Sequence, residues 1–295
     1  MTAGGDQCHT PFGVFDLKRY PARPKEQLQA WNSADILLLE SFLALGLPAR
    51  QALVVNDEHG ALTTALQPAG LWTDSRLSAL AVDANVARNG RLPVTITWST
   101  DPPPRGLNCA VMRVPKQAAY FEYQLSLLAD ALPDGASLLA SGMDKHLSPH
   151  TAATLERCFG PTERYPGKRK ARVFHARKAV RGQPTGEWRV AYRCDALDED
   201  LFSLPNVFSR EQLDIGSRLL LQHLDALEPA TSVVDLACGN GVLGLAAFRA
   251  GLADRVSFCD ESAMALQSAR ENALRLHPGQ ASNFSYFHAD GLLDF

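Results

Sequence analysis

The fold of this chain is decided by the stretch Val233-Val234-Asp235-Leu236-Ala237-Cys238-Gly239-Asn240-Gly241. Two β-branched residues lead into an acid, the acid leads into a glycine-rich turn, and a helix-forming run from Val242 to Arg249 follows. The order is therefore strand, acid, glycine loop and helix. Because glycines let a backbone approach a ligand closely and a helix N-terminus favours negative charge, this order predicts a ligand-binding turn.

The kind of ligand depends on one acid. Residues 239–244 also match G-x-G-x-x-G, the fingerprint of nicotinamide-dinucleotide enzymes, whose pyrophosphate lies over the turn. Asp235, four residues before Gly239, would place a carboxylate near that pyrophosphate, whereas a carboxylate suits a cationic ligand. A nicotinamide-binding oxidoreductase is therefore kept only as an alternative.

The form strand-D-x-A-C-G-x-G resembles motif I of the class I S-adenosylmethionine-dependent methyltransferases, whose ligand carries an ammonium and a sulfonium group. Asp260 follows a predicted strand from Arg255 to Cys259 and lies 19 residues after Gly241, where an acid typically binds two ribose hydroxyls. Asp290 follows a third predicted strand, and the resemblance implies that it lies near the adenine amino group. Motif I gives only the superfamily, so a protein or small-molecule methyltransferase also stays open at this point.

Composition and periodicity predict a globular α/β protein. With 295 residues, 46% of them hydrophobic, the chain is long enough for two domains, and its net charge of −3 does not point to nucleic acid. Its six scattered cysteines form no C-x-x-C pair, which predicts reduced thiols in the cytoplasm and no metal site. No apolar run is long enough to span a membrane.

The first half alternates strands and helices, which predicts a doubly wound and mostly parallel sheet. The turn-rich stretch from Gly182 to Glu187 places the boundary between a domain over residues 1–183 and a domain over residues 184–295. The predicted strands of the first half are Ala52–Val55, Pro93–Trp98, Cys109–Val114, Ala136–Ser141 and Ala171–Ala176. The predicted helices are Asn32–Leu45, Ala61–Leu66, Asp74–Arg88, Lys116–Asp130 and Ser148–Phe159.

The two halves are expected to be divergent copies of one domain. An ungapped alignment of residues 54–62 with residues 233–241 places Asn56 where Asp235 stands and Gly60 where Gly239 stands. In each half an acid, Asp74 or Asp260, opens a helix that reaches an asparagine, Asn85 or Asn272. The first copy is expected to have lost its cofactor site, because Glu58 and His59 put side chains where the loop needs none.

Over nearly its whole length the chain resembles the ribosomal RNA guanine-N2 methyltransferases built from two tandem methyltransferase-like domains. The branch that acts on 23S rRNA is the nearer match, and the branch that acts on 16S rRNA is second. The resemblance rests on these segments: Trp31 with Ala34-Asp35, Val54-Val55-Asn56-Asp57, Gly60-Ala61-Leu62, Val114-Pro115-Lys116, Asn206-Val207-Phe208-Ser209-Arg210, Leu213-Asp214-Ile215-Gly216-Ser217-Arg218 and motif I.

The resemblance implies two tandem Rossmann-like class I methyltransferase domains, of which the first is degenerate and helps to hold RNA. The second would bind S-adenosylmethionine and act on ribosomal RNA, with the 23S molecule expected as the target because the nearer branch acts on it. The implied cofactor-binding residues are Asp235, Ala237, Gly239, Asn240, Gly241, Asp260, Glu261, Asp290, Phe208, Ser209 and Gly216.

One departure from the family concerns the substrate motif. Family members continue into a fourth strand that ends in Asn-Pro-Pro-Phe, whose polar atoms hold the amine to be methylated. No Asn-Pro-Pro occurs in this sequence. The second domain is therefore expected to be incomplete and the chain, as written, truncated and inactive, with no assignable catalytic residue. An RNA-binding scaffold without catalysis is the first alternative.

A basic segment from Arg164 to Arg181 indicates RNA contact. It holds eight cations and no acid within 18 residues. Tyr165, Phe174 and His175 are interleaved with the cations and are expected to stack on bases. The predicted RNA-binding residues are Lys168, Arg169, Lys170, Arg172, Arg177 and Lys178.

Overall fold

The structure is a computed structural model that describes residues 6–181 and 188–293. The chain forms two compact units, one of Met1–Thr73 with Leu77–Gly186 and the other of Asp74–Arg76 with Glu187–Phe295. The domain boundary expected between Gly182 and Glu187 lies outside the described residues. No helix in the described part of the chain is long and apolar enough to cross a membrane. All six cysteines are free thiols.

The first unit begins with a hairpin and continues as an alternating α/β domain. Its strands are β1 (Gln7–Thr10), β2 (Gly13–Asp16), β3 (Ala52–Val55), β4 (Gly70–Thr73), β5 (Ile96–Trp98), β6 (Cys109–Arg113), β7 (Ser137–Met143), β8 (Thr162–Arg164) and β9 (Ala171–Arg177). Its helices are α1 (Ser33–Ala44), α2 (Ala61–Leu66), α3 (Arg76–Arg88), α4 (Ala118–Ala131) and α5 (Thr151–Cys158).

The central sheet of the first unit has seven strands in the order β5-β4-β3-β6-β7-β9-β8. The strands from β5 to β7 are parallel, whereas β9 runs antiparallel to both β7 and β8. Strand β3 lies in the middle and is buried along its whole length, which explains its continuous apolar sequence. The prediction of an α/β fold with a mostly parallel sheet is confirmed, and the antiparallel β9 makes this sheet mixed.

The second unit is smaller and also begins with a hairpin. A hairpin of β10 (Val190–Cys194) and β11 (Glu199–Ser203) precedes a parallel sheet in the order β12-β13-β14. The strands of that sheet are β12 (Ala230–Leu236), β13 (Ala253–Asp260) and β14 (Phe284–His288). The helices are α6 (Ile215–Leu221), α7 (Val242–Arg249) and α8 (Ala263–Leu276).

Strand β12 forms an edge of its sheet within the described residues, although it carries the glycine loop. Val234 and Leu236 on this strand are 43% and 52% exposed. The strand that leads into the corresponding loop of the first unit, β3, is paired on both sides, and its Val54 is fully buried. Within the described residues, the strand before the glycine loop of the second unit is therefore an exposed edge strand, whereas β3 of the first unit is a buried central strand.

Candidate cofactor site and basic surface

The loop between β12 and α7 uses its two glycines for different purposes. Gly239 has a left-handed backbone with φ +54°, and a Cβ built there would approach only Val207 Cγ1, at 4.0 Å. Gly241 is the N-cap of α7 with φ +85°, and a Cβ there would lie 3.0 Å from Ala269 Cβ. Gly239 therefore leaves open space beside the backbone, whereas Gly241 allows the loop to pack on α8.

The open space beside Gly239 belongs to a cavity of about 420 Å³, a volume within the usual range for small-molecule sites. The glycine loop, the start of α8 and the segment before α6 line it. Seven of the eleven expected cofactor residues are among the lining residues: Phe208, Ser209, Ala237, Gly239, Asn240, Asp260 and Glu261. The structure thus brings together residues that are separated by more than fifty positions in the sequence.

Asp260 joins the glycine loop to the start of α8. Its Oδ2 accepts a hydrogen bond from the Gly239 N–H at 3.0 Å, and its Oδ1 accepts one from the Ser262 N–H at 2.9 Å. Burial raises the pKa of this carboxyl above its usual value, and the backbone N–H groups of Ser262, Gly239 and Glu261 act in the opposite direction. A carboxylate has about four acceptor sites, so Asp260 retains acceptor capacity for a ligand hydroxyl group beyond these donors.

Asp235 makes its observed hydrogen bond within the protein. It is 7% exposed and lies outside the cavity lining, and its Oδ2 accepts a hydrogen bond from the Gly244 N–H at 2.8 Å. Asp235 therefore holds the first turn of α7 against β12, and a contact of its carboxylate to a cationic ligand stays a prediction. Gly216, Gly241 and Asp290 also lie outside the lining, and their contacts to a cofactor stay predictions.

The buried carboxyl of Asp235 gives stability an unusual dependence on pH. Burial raises its pKa to about 6, above the unfolded value near 3.8. The folded chain therefore holds a proton that the unfolded chain has released, and this stabilising contribution is complete below about pH 4 and lost as the pH rises through about 6.

We compare the free energy of unfolding of Asp235→Asn with that of the natural chain. As the pH rises from 4 to 7, we expect this difference to shift in favour of the variant by on the order of 2 kcal/mol, because asparagine is never charged. Urea unfolding at both pH values measures the difference. Asp254→Asn, an exposed position on β13, is the control. Equal differences at the two pH values would contradict the burial of a titrating carboxyl at Asp235.

Sequence reasoning missed several residues of the site. Tyr192, Asn206 and Ser262 line the cavity. Asp74 lies behind it within the second unit and accepts hydrogen bonds from Ser262 Oγ at 2.5 Å, Asn206 Nδ2 at 2.7 Å and the Met264 N–H at 3.0 Å. Ser262 carries a local signal, because serine directly before a helix is a common N-cap. Asn206 stood in a segment of the family resemblance and Asp74 at the start of a helix, but neither sequence position indicated a role in this site.

Two further predicted cofactor residues, Glu261 and Asn240, form hydrogen bonds with other side chains. Glu261 Oε2 accepts a hydrogen bond from Ser75 Oγ at 2.5 Å. Asn240 is buried, and its Nδ2 donates to the hydroxyls of Tyr192 and Ser203, both at 3.1 Å. Among the described residues, no group of three or more His, Cys, Asp or Glu side chains could hold a metal ion.

The basic segment of the first unit is only partly free to bind a phosphate. Three of its cations form ion pairs: Lys168 with Glu40, Arg172 with Asp144 and Lys178 with Asp134. Arg177 is exposed on β9. Arg169 and Lys170 form an exposed turn with φ +51° and +60°, and no described carboxylate lies within ion-pair distance of either.

The stacking role expected of two aromatic residues in this segment is wrong. Phe174 and His175 are 4% and 5% exposed, because β9 lies inside the sheet between β7 and β8. The His175 ring nitrogens lie 3.1 Å from the Tyr165 hydroxyl and 3.0 Å from Ser137 Oγ. These rings belong to the fold of the first unit and cannot stack on a base.

Two family models match the chain and together cover most of it. The RLMG N-terminal domain matches residues 6–180, and the methyltransferase small domain matches residues 198–292. The ribosomal RNA large subunit methyltransferase G of Alcanivorax borkumensis is 40% identical over 96% of this chain and 76% of its own length. The protein of the same name from Pseudomonas aeruginosa is 39% identical over 89% of this chain and 72% of its own length.

A solved structure supports the fold independently. The Thermus thermophilus 16S rRNA N2 G1207 methyltransferase, in complex with AdoMet and guanosine, superposes with a TM-score of 0.72 at 18% identity and covers 97% of this chain and 75% of that one. The Rossmann-like sheets, the glycine loop and the methyltransferase small domain define the chain as a class I methyltransferase. The chain belongs to the family of the ribosomal RNA large subunit methyltransferase G. The comparisons do not support the expectation that it is inactive.

Proposed function

We propose that this chain uses S-adenosylmethionine to methylate the exocyclic N2 amine of a guanine in 23S rRNA. The observation that carries this proposal is the cavity in which the Asp260 carboxylate meets the glycine loop at Gly239. The large-subunit RNA is taken from the names of the relatives, and the guanine N2 position is that of the superposed 16S rRNA enzyme. The cytoplasmic location expected from the scattered cysteines remains a prediction.

The residues around the cavity fit S-adenosylmethionine. Asp260 offers acceptors for ribose hydroxyls, and Glu261 places a second carboxyl group at the same wall. Phe208 is 74% exposed, so it does not pack in the core, and its ring offers a flat apolar surface for adenine. Gly239 leaves the space that a side chain would otherwise fill.

The chain contributes mainly orientation to the reaction. When bound, S-adenosylmethionine supplies an electrophilic methyl group on its sulfonium, and an in-line displacement depends on alignment more than on acid–base help. Asp260 and the Gly239 backbone, held together by their hydrogen bond, fix one end of the site. No described side chain is assigned as catalytic.

We also propose that the two units are copies of one domain. In each unit an asparagine side chain donates a hydrogen bond to a backbone carbonyl of the loop that precedes a helix. Asn85 Nδ2 donates to His59 O at 2.7 Å, and Asn272 Nδ2 donates to Asn240 O at 3.0 Å. Asn85 also exchanges two hydrogen bonds with the backbone of Lys18, after the first hairpin. Asn272 makes the same exchange with Phe202 in the second hairpin.

The backbone supports an alignment of the proposed copies that is shifted by two residues from the ungapped one. Gly60 and Gly241 are both N-caps with φ +87° and +85°. Four residues earlier, Asn56 and Ala237 both have left-handed backbones, with φ +59° and +55°. Asn56 therefore corresponds to Ala237 rather than to Asp235, and Gly60 corresponds to Gly241 rather than to Gly239.

The shifted alignment supports a first unit, over residues 1–183, without a cofactor site. Glu58 stands at the position of Gly239, where it would fill the open space and repel the carboxylate of S-adenosylmethionine. Asn56 Nδ2 donates to the Arg113 carbonyl at 3.1 Å and to Gln124 Oε1 at 2.7 Å, so this loop is tied to its own domain. The first unit is then a scaffold that contacts RNA.

We propose that the second unit, over residues 184–295, forms the cofactor-binding half and is incomplete as a sheet. Its order β14-β13-β12 matches β5-β4-β3 of the first unit, where β6 covers the far edge of β3. Val234 and Leu236 alternate with the buried Asp235, so they lie on one face of β12, and their exposure agrees with a face that another element normally covers.

Calorimetric titration with S-adenosylmethionine, followed by mass spectrometry of guanine methylation in unmodified 23S rRNA, tests the proposed activity. We expect cofactor binding and a single N2-methylguanine. RNA binding without cofactor binding would favour a scaffold, and tight NADH binding in its place would favour an oxidoreductase. Either result would overturn the proposal.

The exposed turn of Arg169 and Lys170 is proposed to contact RNA phosphates. We expect the double reversal Arg169→Glu and Lys170→Glu to weaken RNA binding about tenfold or more and to flatten its salt dependence, because two phosphate contacts are lost. Filter binding at several salt concentrations measures both. Arg50→Glu, an exposed change at the opposite end of the parallel strands, is the control and changes the net charge half as much. If it produced half of the effect or more, the result would be reduced to net charge.

A further inference from the structure

A second cavity lies in the first unit, next to the exposed basic turn. It has a volume of about 410 Å³ and is lined by Trp31, the cation of Arg169 and the side-chain amides of Gln7, Gln29 and Asn32, among others. None of its described lining residues is acidic. The proposed cofactor site lies in the second unit and shares no lining residue with this cavity.

Trp31 gives the cavity an aromatic wall that is held in place. It is half-buried and packs against the core of the first unit, while it also lines the cavity. A ring that the core already orients loses little freedom on stacking with a flat ligand. Base–aromatic stacking is the main sequence-tolerant contact by which proteins hold unstacked nucleotides.

The polar residues of the wall match the other parts of a nucleotide. Gln7 and Gln29 are exposed, and each carries an amide that can both donate to and accept from the edge of a base. Arg169 supplies a guanidinium for a phosphate, and Lys170 follows it in the same turn. The lack of a carboxylate among the described lining residues favours an anionic ligand over a basic peptide.

We propose that this cavity holds one unstacked nucleotide of the RNA, with its base on Trp31 and its phosphate at Arg169. The inference rests on the proposed function, because RNA is the partner that function supplies. It adds a defined binding site to the first unit, which otherwise contributes only a charged surface. The cavity would hold the RNA by a nucleotide other than the guanine that is methylated.

Two variants that act on different parts of the nucleotide test the proposal. Trp31→Leu removes the stacking ring and keeps an apolar side chain, whereas Arg169→Gln removes only a charge at an exposed position. We expect each to weaken binding of a single-stranded 12-nucleotide RNA about tenfold, measured by fluorescence anisotropy. Trp31→Phe should restore most of the affinity, because it restores an aromatic face.

Controls separate a lost site from a lost fold or a lost charge. Arg50→Gln matches Arg169→Gln in charge and should bind RNA like the natural chain. Thermal unfolding checks that Trp31→Leu still folds, and cross-linking of the 4-thiouridine-substituted RNA should label the peptide that contains Trp31.

The outcomes distinguish this inference from the proposed function. Unchanged RNA affinity in both Trp31→Leu and Arg169→Gln would overturn the nucleotide site, even where the natural chain binds RNA and S-adenosylmethionine. Absence of cross-links near Trp31 would overturn it as well. Loss of RNA affinity in both variants, in a chain that binds no S-adenosylmethionine, would overturn the proposed enzyme and support the site.

Discussion

Asp260→Ala is expected to weaken S-adenosylmethionine binding about 100-fold or more. The change removes the acceptor for the ribose hydroxyls and releases the Gly239 N–H that Asp260 holds at 3.0 Å. Hydrogen bonds to a charged group contribute about 1.5–3 kcal/mol each, so losing two of them accounts for at least this factor. Isothermal titration calorimetry measures the affinity directly.

Asp254→Ala is the matched control for this prediction. Asp254 lies on the same strand, β13, but is exposed and outside the cavity lining. Its loss should leave the affinity unchanged. An affinity of Asp260→Ala within threefold of the natural chain would remove the ribose assignment and with it the main support for the cofactor site.

Gly244→Val is expected to destabilise the second unit by about 3 kcal/mol and to abolish cofactor binding as a consequence. A Cβ at Gly244 would lie 2.6 Å from Phe258 Cε1 and 2.8 Å from Val256 Cγ1, so α7 would have to move away from β13. The glycine loop at the start of α7 would move with the helix. Urea unfolding gives the loss of stability, and calorimetry gives the loss of binding.

Gly251 provides a control that distinguishes the cost of steric overlap from the cost of a strained backbone. Gly251 has φ +70°, yet a Cβ there would meet nothing within 4 Å. Gly251→Ala should therefore cost only about 1 kcal/mol, from the left-handed backbone alone. A loss in Gly244→Val no larger than in Gly251→Ala would contradict the close packing of α7 on its sheet.

The alternation of strands and helices could be predicted where the elements are long and continuously apolar. The predicted strand Ala52–Val55 coincides with the observed one, and the helix from Asn32 begins at its observed cap, where Asn32 and Asp35 form a capping box. Strand β4 escaped prediction because its four residues, Gly70–Thr73, begin with a glycine and follow a proline-containing turn. Tertiary pairing with β3 and β5 makes it a strand.

The cofactor loop could be predicted because its glycines are required locally, but the direction of its neighbouring side chains could not. Asp235 and Asp260 both end a strand in the sequence. In the structure Asp235 turns toward α7, and only Asp260 lines the cavity. The difference depends on which face of the strand each helix covers, and that is decided by packing. Asn206 was missed as a side-chain contact for the same reason, since long-range packing brings it to the cavity.

If the two units are copies, as proposed above, the two-residue shift between the ungapped alignment and the backbone alignment has a physical origin. An ungapped comparison rewards similar letters, such as Asn56 and Asp235, whereas the requirement that both loops share is a left-handed backbone at two positions four residues apart. Asparagine and alanine meet that requirement at Asn56 and Ala237 without resembling each other. Backbone conformation therefore preserves a correspondence that residue identity conceals.

Within the described residues, the open edge of β12 gives the second unit an apolar pairing surface. The first unit ends its seven-stranded sheet in β5 and β8, which are only three residues long and offer little to another molecule. Strand β12 offers seven residues with exposed apolar side chains, so two molecules that meet there can pair edge to edge. We expect such pairing to lower the solubility of the chain, because the net charge of −3 provides little repulsion between molecules.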